Sequence, residues 1–235
     1  MRIVSIDSSL GTELLIADAD PGDRGVILRV LGRAEQTDPR RHAESLGVML
    51  AEALRGPGAA DRRLDAVVAA TGPAPFTGLR AGLVTARALG RARGVPVHGV
   101  PSLDAVARAA LDQLADGGAT VLVVTDARRH EVYAARYRAR GADDVERLDE
   151  PAVLAPDAAA ALDGVDAVAG SGAALYPQIA AGRPTLVLAS GDARAQCRIA
   201  LARLAAAGAG TRLPAEPLYL RHADVQLPAA RKRVQ

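Results

Sequence analysis

Two stretches decide the fold: Arg2–Asp18, RIVSIDSSLGTELLIAD, and Val121–Tyr137, VLVVTDARRHEVYAARY. In the first, Ile3, Val4 and Ile6 form a mostly apolar run that ends in Asp7. A short turn, SSLG, follows, and Thr12–Asp18 returns. Short apolar runs bounded by turn residues read as buried strands. The second stretch repeats the plan: VLVVTD ends in Asp126, ARRH turns, and EVYAARY returns. Asp7 and Asp126 thus hold equivalent places in two similar halves, and the chain reads as a duplicated α/β architecture.

Working outward, GVILRVL after Pro21-Gly22 is a third strand and completes an antiparallel meander. Asp38-Pro39 opens a helix, since Asp caps free N–H groups and Pro suits the first turn. Ala43, Leu46, Met49, Leu50, Ala53 and Leu54 recur at helical spacing until Gly56-Pro57-Gly58 stops the run. Leu64–Thr71 reads as a strand buried on both faces. A helix then runs to Arg93, with Gly94 as its terminator. Val95–Val100 is a short strand, and Ser102 caps a helix with Leu103, Val106, Ala107, Ala110, Leu111 and Leu114 on one face. In the second half, Pro156-Asp157 starts a short helix, VDAVAG is a strand, GAALYPQIA is a helix, and Asp192–Ala207 is another. Three units are expected: residues 1–116, 117–212, and an irregular tail over 213–235.

The 235 residues are 49% apolar and 24% charged, an ordinary globular mixture with enough chain to bury a core. No apolar run approaches the ~18 residues of a membrane span. Asp7 and Glu13 break the stretch where a signal peptide's apolar segment would lie. The expected setting is cytoplasmic, with no membrane partner. A single cysteine, Cys197, excludes an internal disulfide framework and is expected to pack as a small apolar residue. The net charge of +2 gives no strong whole-molecule field for nucleic acid, and 2% aromatic residues argue against a base-stacking platform. Lys232 is the only lysine. This arginine-rich usage reflects coding bias, so no single arginine is evidence of function.

At residues 72–107, GPAPFTGLRAGLVTARALGRARGVPVHGVPSLDAVA, the chain resembles the bacterial TsaB (YeaZ) family, whose segment reads close to GPGSFTGLRIG. IDSS near the start, DARRHEVYAARY in the middle and PLYLRHADV near the end match in order. The resemblance implies the duplicated two-lobed fold of actin, Hsp70 and sugar kinases. It implies partnership with a larger paralogue, TsaD, and an ATPase, TsaE, which together place a threonylcarbamoyl group on N6 of adenosine 37 in tRNAs that read ANN codons. In that scheme TsaD carries the metal and the transfer chemistry. The TsaB-type chain is a non-catalytic partner, meets tRNA only through the complex and forms a homodimer in isolation. Ala74 and Pro75 replace the family's usual Gly and Ser, and Ala tolerates φ > 0 less well than Gly.

The site chemistry is weighed on the residues. Asp7, Ser8, Ser9, Gly11 and Thr12 could form one phosphate turn, but Asp126 is followed by Ala127-Arg128-Arg129 with no glycine to admit a phosphate. Gly170 and Gly172 stand where this fold places adenosine, or simply make a tight turn. ATP is not expected to bind tightly, and the aspartates read as relics. His42, His98, His130 and His222 are widely spaced, with no His-x-x-x-His pair and no HExxH, so no metal site is expected. No G-x-S-x-G elbow is present, and no catalytic residue is assigned. An ATP-dependent kinase or hydrolase, or a metalloprotease-like hydrolase, is the rival reading.

The helix from Gly78 is rich in small residues, including Gly82, whose place inside a helix costs about 1 kcal/mol relative to Ala. With the Pro39–Leu54 helix it is expected to form the partner surface, through Leu46, Met49, Leu50, Leu79, Arg80, Gly82, Leu83 and Ala86. Arg80 near a helix N-terminus is electrostatically odd and is expected to have an acidic or carbonyl partner. Arg231-Lys232-Arg233 reads as a solvated tail or a weak phosphate contact.

Overall fold

The computed structural model describes residues 1–36, 42–56, 58–186, 192–208 and 210–221. The opening meander is β1 (Arg2–Asp7), β2 (Thr12–Gly22) and β3 (Gly25–Gln36). Helix α1 (His42–Arg55), strand β4 (Ala66–Ala70), helix α2 (Phe76–Arg93), strand β5 (Val97–Val100) and helix α3 (Ser102–Leu111) follow. The second half repeats the meander with β6 (Val121–Asp126), β7 (Val132–Arg140) and β8 (Asp144–Arg147). It continues with β9 (Ala152–Leu154), α4 (Pro156–Ala160), β10 (Ala167–Ala169), α5 (Ser171–Leu175), a 3-10 turn at Pro177–Ile179, β11 (Thr185–Leu186) and α6 (Ala193–Ala207).

The duplication is visible in the strand order. The first sheet runs β3-β2-β1-β4-β5 and the second β8-β7-β6-β10-β11, with β9 added beside β7. In each sheet the three meander strands are antiparallel and the next two parallel. Every residue of β1 and β4 is buried, because helices cover both faces of the first sheet. One face packs Val4, Ile6, Leu14 and Val67 against α1 and α2. The other packs Ile3, Leu15 and Val68 against Ala193, Cys197, Ile199 and Ala200 of α6. In the second sheet, Val121, Val123 and Tyr137 pack on Leu103, Val106 and Ala110 of α3, and Leu122, Val124 and Val168 pack on α4 and α5.

The last helix of each half therefore covers the other half's sheet. The expected boundary at residue 116 separates the two sheets, but α3 belongs by packing to the second lobe and α6 to the first. Ion pairs lock this exchange. From α6, Arg198 Nε bonds Asp143 at 2.8 Å, and Arg203 reaches Asp144 at 2.9 Å and Asp104 at 2.8 Å. Asp104 also accepts from Arg147 at 2.8 Å and Tyr137 at 3.2 Å, so its burial is fully hydrogen-bonded.

Several local expectations change. Ser102 is the first residue of α3, not its cap; its hydroxyl accepts the Gly72 N–H at 3.1 Å. Ala74 has no positive φ and packs into the core, so the Gly-to-Ala departure is unstrained there. Gly94 ends α2 in the left-handed region, as expected, at φ 66°. Asp38, Pro39, Pro57, His222 and the Arg231-Lys232-Arg233 cluster lie outside the described residues, as does the His42 side chain. Among the described residues no helix is long and apolar enough to cross a membrane.

Candidate functional site

The four segments that carried the resemblance are far apart in sequence and meet in space. Ser8 Oγ donates to the Gly78 carbonyl at 2.7 Å, fastening the first turn to α2. The Ser102 N–H donates to the Gly72 carbonyl at 2.7 Å, and the Leu218 N–H donates to the Thr71 carbonyl at 2.7 Å. The rings of Phe76 and Tyr219 stack at 4.5 Å with 8° between their planes. Arg221 pairs with Glu131 of the second turn.

Residues 213–221 thus form a strap without regular secondary structure. It starts at the edge of β5, where the Gly99 N–H donates to the Leu213 carbonyl at 3.2 Å. Gly99 is needed there, because a Cβ would overlap the Pro214 carbonyl. The Leu213 N–H donates to His98 Nδ1 at 3.3 Å, and burial holds that imidazole below the usual histidine range, in its accepting neutral form. Arg80 takes an aromatic partner in place of the expected acidic or carbonyl one. Its guanidinium lies 4.7 Å from the Phe76 ring centre and 5.5 Å from that of Tyr219, and its Nε–H donates to the Tyr219 hydroxyl at 2.9 Å. A cation over stacked rings is stabilised by their negative faces, which answers the unfavourable helix end. Sequence reasoning missed this sandwich; the signal was a lone Phe in a chain with almost no aromatics.

The first turn brings Asp7, Ser8, Ser9 and Thr12 together as expected, all buried. Asp7 Oδ1 accepts the Ser9 N–H at 2.8 Å, while Oδ2 has no partner. Across the β1–β2 ladder Asp7 faces Glu13, whose Oε2 accepts the Ala193 N–H at 3.0 Å. Burial raises the Asp7 carboxyl above its ordinary range, Ser9 opposes the rise, and the charge of Asp192 adds to it. Burial and Asp192 raise Glu13 likewise, against the pull of the Ala193 N–H and of Arg33. Close to this turn, then, stand carboxylates. Where ionised, they repel an anion.

In the second turn Asp126 Oδ1 accepts the Arg128 N–H at 2.7 Å, and Oδ2 pairs with the Arg128 guanidinium at 2.9 Å. Arg128, Arg129 and His130 all have positive φ. Gly170 and Gly172 press against β6: a Cβ on Gly170 would overlap the Val124 carbonyl, and one on Gly172 would lie 3.0 Å from it. Close packing accounts for both glycines. Among the described residues no group of three or more His, Cys, Asp or Glu stands together as a metal cluster would. Cys197 is buried, its thiol pushed up to about 12 by burial, and it packs with the apolar core as expected. A cavity of about 810 Å³ lies elsewhere, between the β2–β3 hairpin and the end of α6.

The expected partner surface needs correction. Leu46, Leu50, Leu79, Leu83 and Ala86 are core residues between α1, α2 and the first sheet. Gly82 faces inward, where a Cβ would overlap the Ser8 hydroxyl. Met49 is half-buried and Arg80 exposed. What α1 and α2 present outward is Val48, 58% exposed, and Val84, 64% exposed.

Two mixed sheets of one strand order, with an Asp-ended first hairpin in each, define a protein of the actin, Hsp70 and sugar-kinase fold class. The family model described as TsaD, tRNA N6-adenosine threonylcarbamoyltransferase, matches residues 34–215, and the chain belongs to that family, as a member of its TsaB (YeaZ) type. It is 46% identical over 136 residues to an uncharacterized protein of Mycobacterium tuberculosis, covering 54% of this chain and 60% of that one. The match thus spans less than two thirds of that relative. The tRNA threonylcarbamoyladenosine biosynthesis protein TsaB of Escherichia coli is 33% identical over 100 residues, 43% of this chain and 42% of that one. YeaZ from Pseudomonas aeruginosa shares the fold with a TM-score of 0.71 at 22% identity, over 93% of this chain and 100% of that chain.

Proposed function

We propose that this chain acts in the formation of N6-threonylcarbamoyladenosine on tRNA as a non-catalytic subunit, binding and supporting a catalytic TsaD-type paralogue. The observation that carries the non-catalytic part is the first turn. A working phosphate site of this fold would need backbone donors at close approach and carboxylates free to hold a cation. Here Asp7 is buried opposite Glu13, no group of three or more acids or histidines clusters for a cation among the described residues, and a glycine-free second turn carries Arg128 instead. An independent kinase or hydrolase has no such support, and neither has a metalloprotease-like activity. The TsaE ATPase belongs to the same proposal as a further partner, and tRNA is modified only by the whole complex.

The partner surface in this reading is the outer face of α1 and α2, where Val48 and Val84 are exposed. Exposed apolar side chains on adjoining helices mark an association surface. In the absence of the paralogue the same face pairs two copies of the chain, as a two-fold contact would. Val48→Asp with Val84→Asp tests this in sedimentation and co-purification. Both side chains point to solvent, so the variant should melt like the parent. It should lose the homodimer and bind the TsaD paralogue at least tenfold more weakly. A variant that associates normally would move the interface elsewhere.

A further inference from the structure

We propose that the cavity between the β2–β3 hairpin and the end of α6 is a binding site for a small carboxylate with an apolar body, of the kind a medium-chain fatty acid presents. Its volume of about 810 Å³ lies within the range of about 300–1,000 Å³ usual for small-molecule pockets. Val26, Pro96, Leu201 and Leu204 supply the apolar wall. All four are only partly buried, so an apolar ligand removes from water a surface that the fold leaves wet. The wall is held in place without a ligand. Asp143, just before β8, accepts the Val26 N–H at 2.7 Å and the Arg198 Nε–H at 2.8 Å, which ties the hairpin, the second lobe and α6 together. The Gly99 N–H donates to the Leu213 carbonyl at 3.2 Å and fixes the chain after α6 along β5. A preformed site loses little conformational freedom on binding.

The polar groups of the lining decide what the ligand carries. His98 lines the cavity and is 4% exposed. Its Nδ1 accepts the Leu213 N–H at 3.3 Å, so the ring proton sits on Nε2, and that N–H has no partner among the described residues. Burial first and the charge of Arg212 second disfavour the imidazolium and keep the ring in this form. A buried donor without an acceptor is costly until something supplies one. Arg212 also lines the cavity, is exposed, and makes no hydrogen bond or ion pair among the described residues. The two acids of the lining are both answered by the protein: Asp143 by Val26 and Arg198, and Asp20, with 77% of its side chain exposed, by the Met1 amino group at 4.0 Å. Thr211 donates its hydroxyl to the Ala207 carbonyl at 3.1 Å. The side chains left unanswered are two donors, one of them charged. An anionic oxygen answers both, and a carboxylate on an apolar body brings it to this wall. An amine would meet Arg212, and a phosphate ester without an apolar body would leave the wall wet.

Octanoate is the probe, titrated into the full chain by calorimetry at low salt and followed by NMR. One octanoate should bind per chain and raise the melting temperature. The His98 ring protons, assigned by their loss in His98→Asn, should shift on binding. Octanol, with the same body and no charge, should bind roughly tenfold more weakly, as the loss of a charge-assisted hydrogen bond requires. His98→Asn places Oδ1 where Nδ1 accepts the Leu213 N–H but leaves no donor at Nε2, and should bind octanoate roughly tenfold more weakly. Arg212→Gln changes an exposed side chain, so it should melt like the parent, weaken octanoate roughly threefold and leave octanol unchanged. Arg63→Gln, an exposed arginine outside the cavity, should change nothing. If His98→Asn does not fold, Arg212→Gln and the octanol comparison decide. Absence of octanoate binding by the parent would overturn the proposal, as would octanol binding as tightly as octanoate. So would an unchanged affinity in Arg212→Gln, or binding that leaves the His98 resonances unmoved. Octanoate affinity that falls as protein concentration rises would assign the cavity to a second copy of the chain and overturn it too.

Discussion

The two hairpin turns began as one design and have diverged. In both, the closing aspartate accepts the N–H two residues on: Asp7 from Ser9 at 2.8 Å, Asp126 from Arg128 at 2.7 Å. In both, a serine hydroxyl bonds the turn to the neighbouring helix segment, Ser8 to Gly78 and Ser171 to the Asp126 N–H at 3.3 Å. The difference lies across the ladder. Asp7 faces Glu13, whereas Asp126 faces Val132. The first turn is buried and overloaded with negative charge; the second is open and neutralised by its own Arg128. Like charges directly opposite each other destabilise a strand pair, so the first turn stores strain that the second lacks. The two hairpins thus keep one backbone plan while the side chains that face them differ.

The largest effect should come from crowding the first turn. Gly82→Glu drives a side chain into the Ser8 hydroxyl and buries a charge without a partner, a loss on the order of 3–5 kcal/mol. The variant should be insoluble or melt far below the parent. A folded Gly82→Glu chain of parental stability would show that the first turn has slack and break the comparison.

A smaller effect separates the two aspartates by pH. Because the Asp7 pKa is raised on folding, its contribution is fully present below the ordinary carboxylate value and is lost as pH rises through the raised native value. Asp7→Asn should therefore melt higher than the parent at pH 7, with the gain vanishing towards pH 3. Asp126→Asn breaks an ion pair to the exposed Arg128 and should cost less than about 1 kcal/mol at pH 7. Thermal melts across that range would contradict the account if Asp7→Asn were destabilised at neutral pH.

The smallest effect concerns the backbone. His130 has φ 58°, and glycine relieves a left-handed residue at some entropic cost to the unfolded chain. His130→Gly should gain about 0.5 kcal/mol, a rise of about 1–2 °C for a chain of this size. Ser9→Gly, in a turn with no positive φ and with the loss of a hydroxyl bonded to Asp7, should fall instead.

Much of this was legible in the sequence, and what was not has particular causes. The strand–Asp–turn–strand repeat reveals the duplication because a two-face-buried strand leaves a near-continuous apolar run. β8, β9 and β11 pass unread because two to four residues are too short to show a period. The exchange of α3 and α6 between sheets is invisible because an apolar stripe names no partner. The same ambiguity misplaced the interface. Leu46, Leu50, Leu79 and Leu83 are the core stripes of their helices, while Val48 and Val84, out of phase with those stripes, are the exposed ones. A β-branched residue on the polar side of a soluble helix was the available signal. Glu13 was visible as an acid in an apolar strand, but its place opposite Asp7 needed the register.

In the proposed role the chain is required for tRNA threonylcarbamoyladenosine while its own turns perform no chemistry. The direct measurement is the N6-threonylcarbamoyladenosine content of tRNA, by mass spectrometry of digested nucleosides, in cells depleted of the chain and then supplied with either the parent or Asp7→Asn with Asp126→Asn. The account predicts that depletion lowers the modified nucleoside and that parent and double variant restore it equally. Modification that is untouched by depletion, or that the double variant fails to restore although it folds, would contradict it.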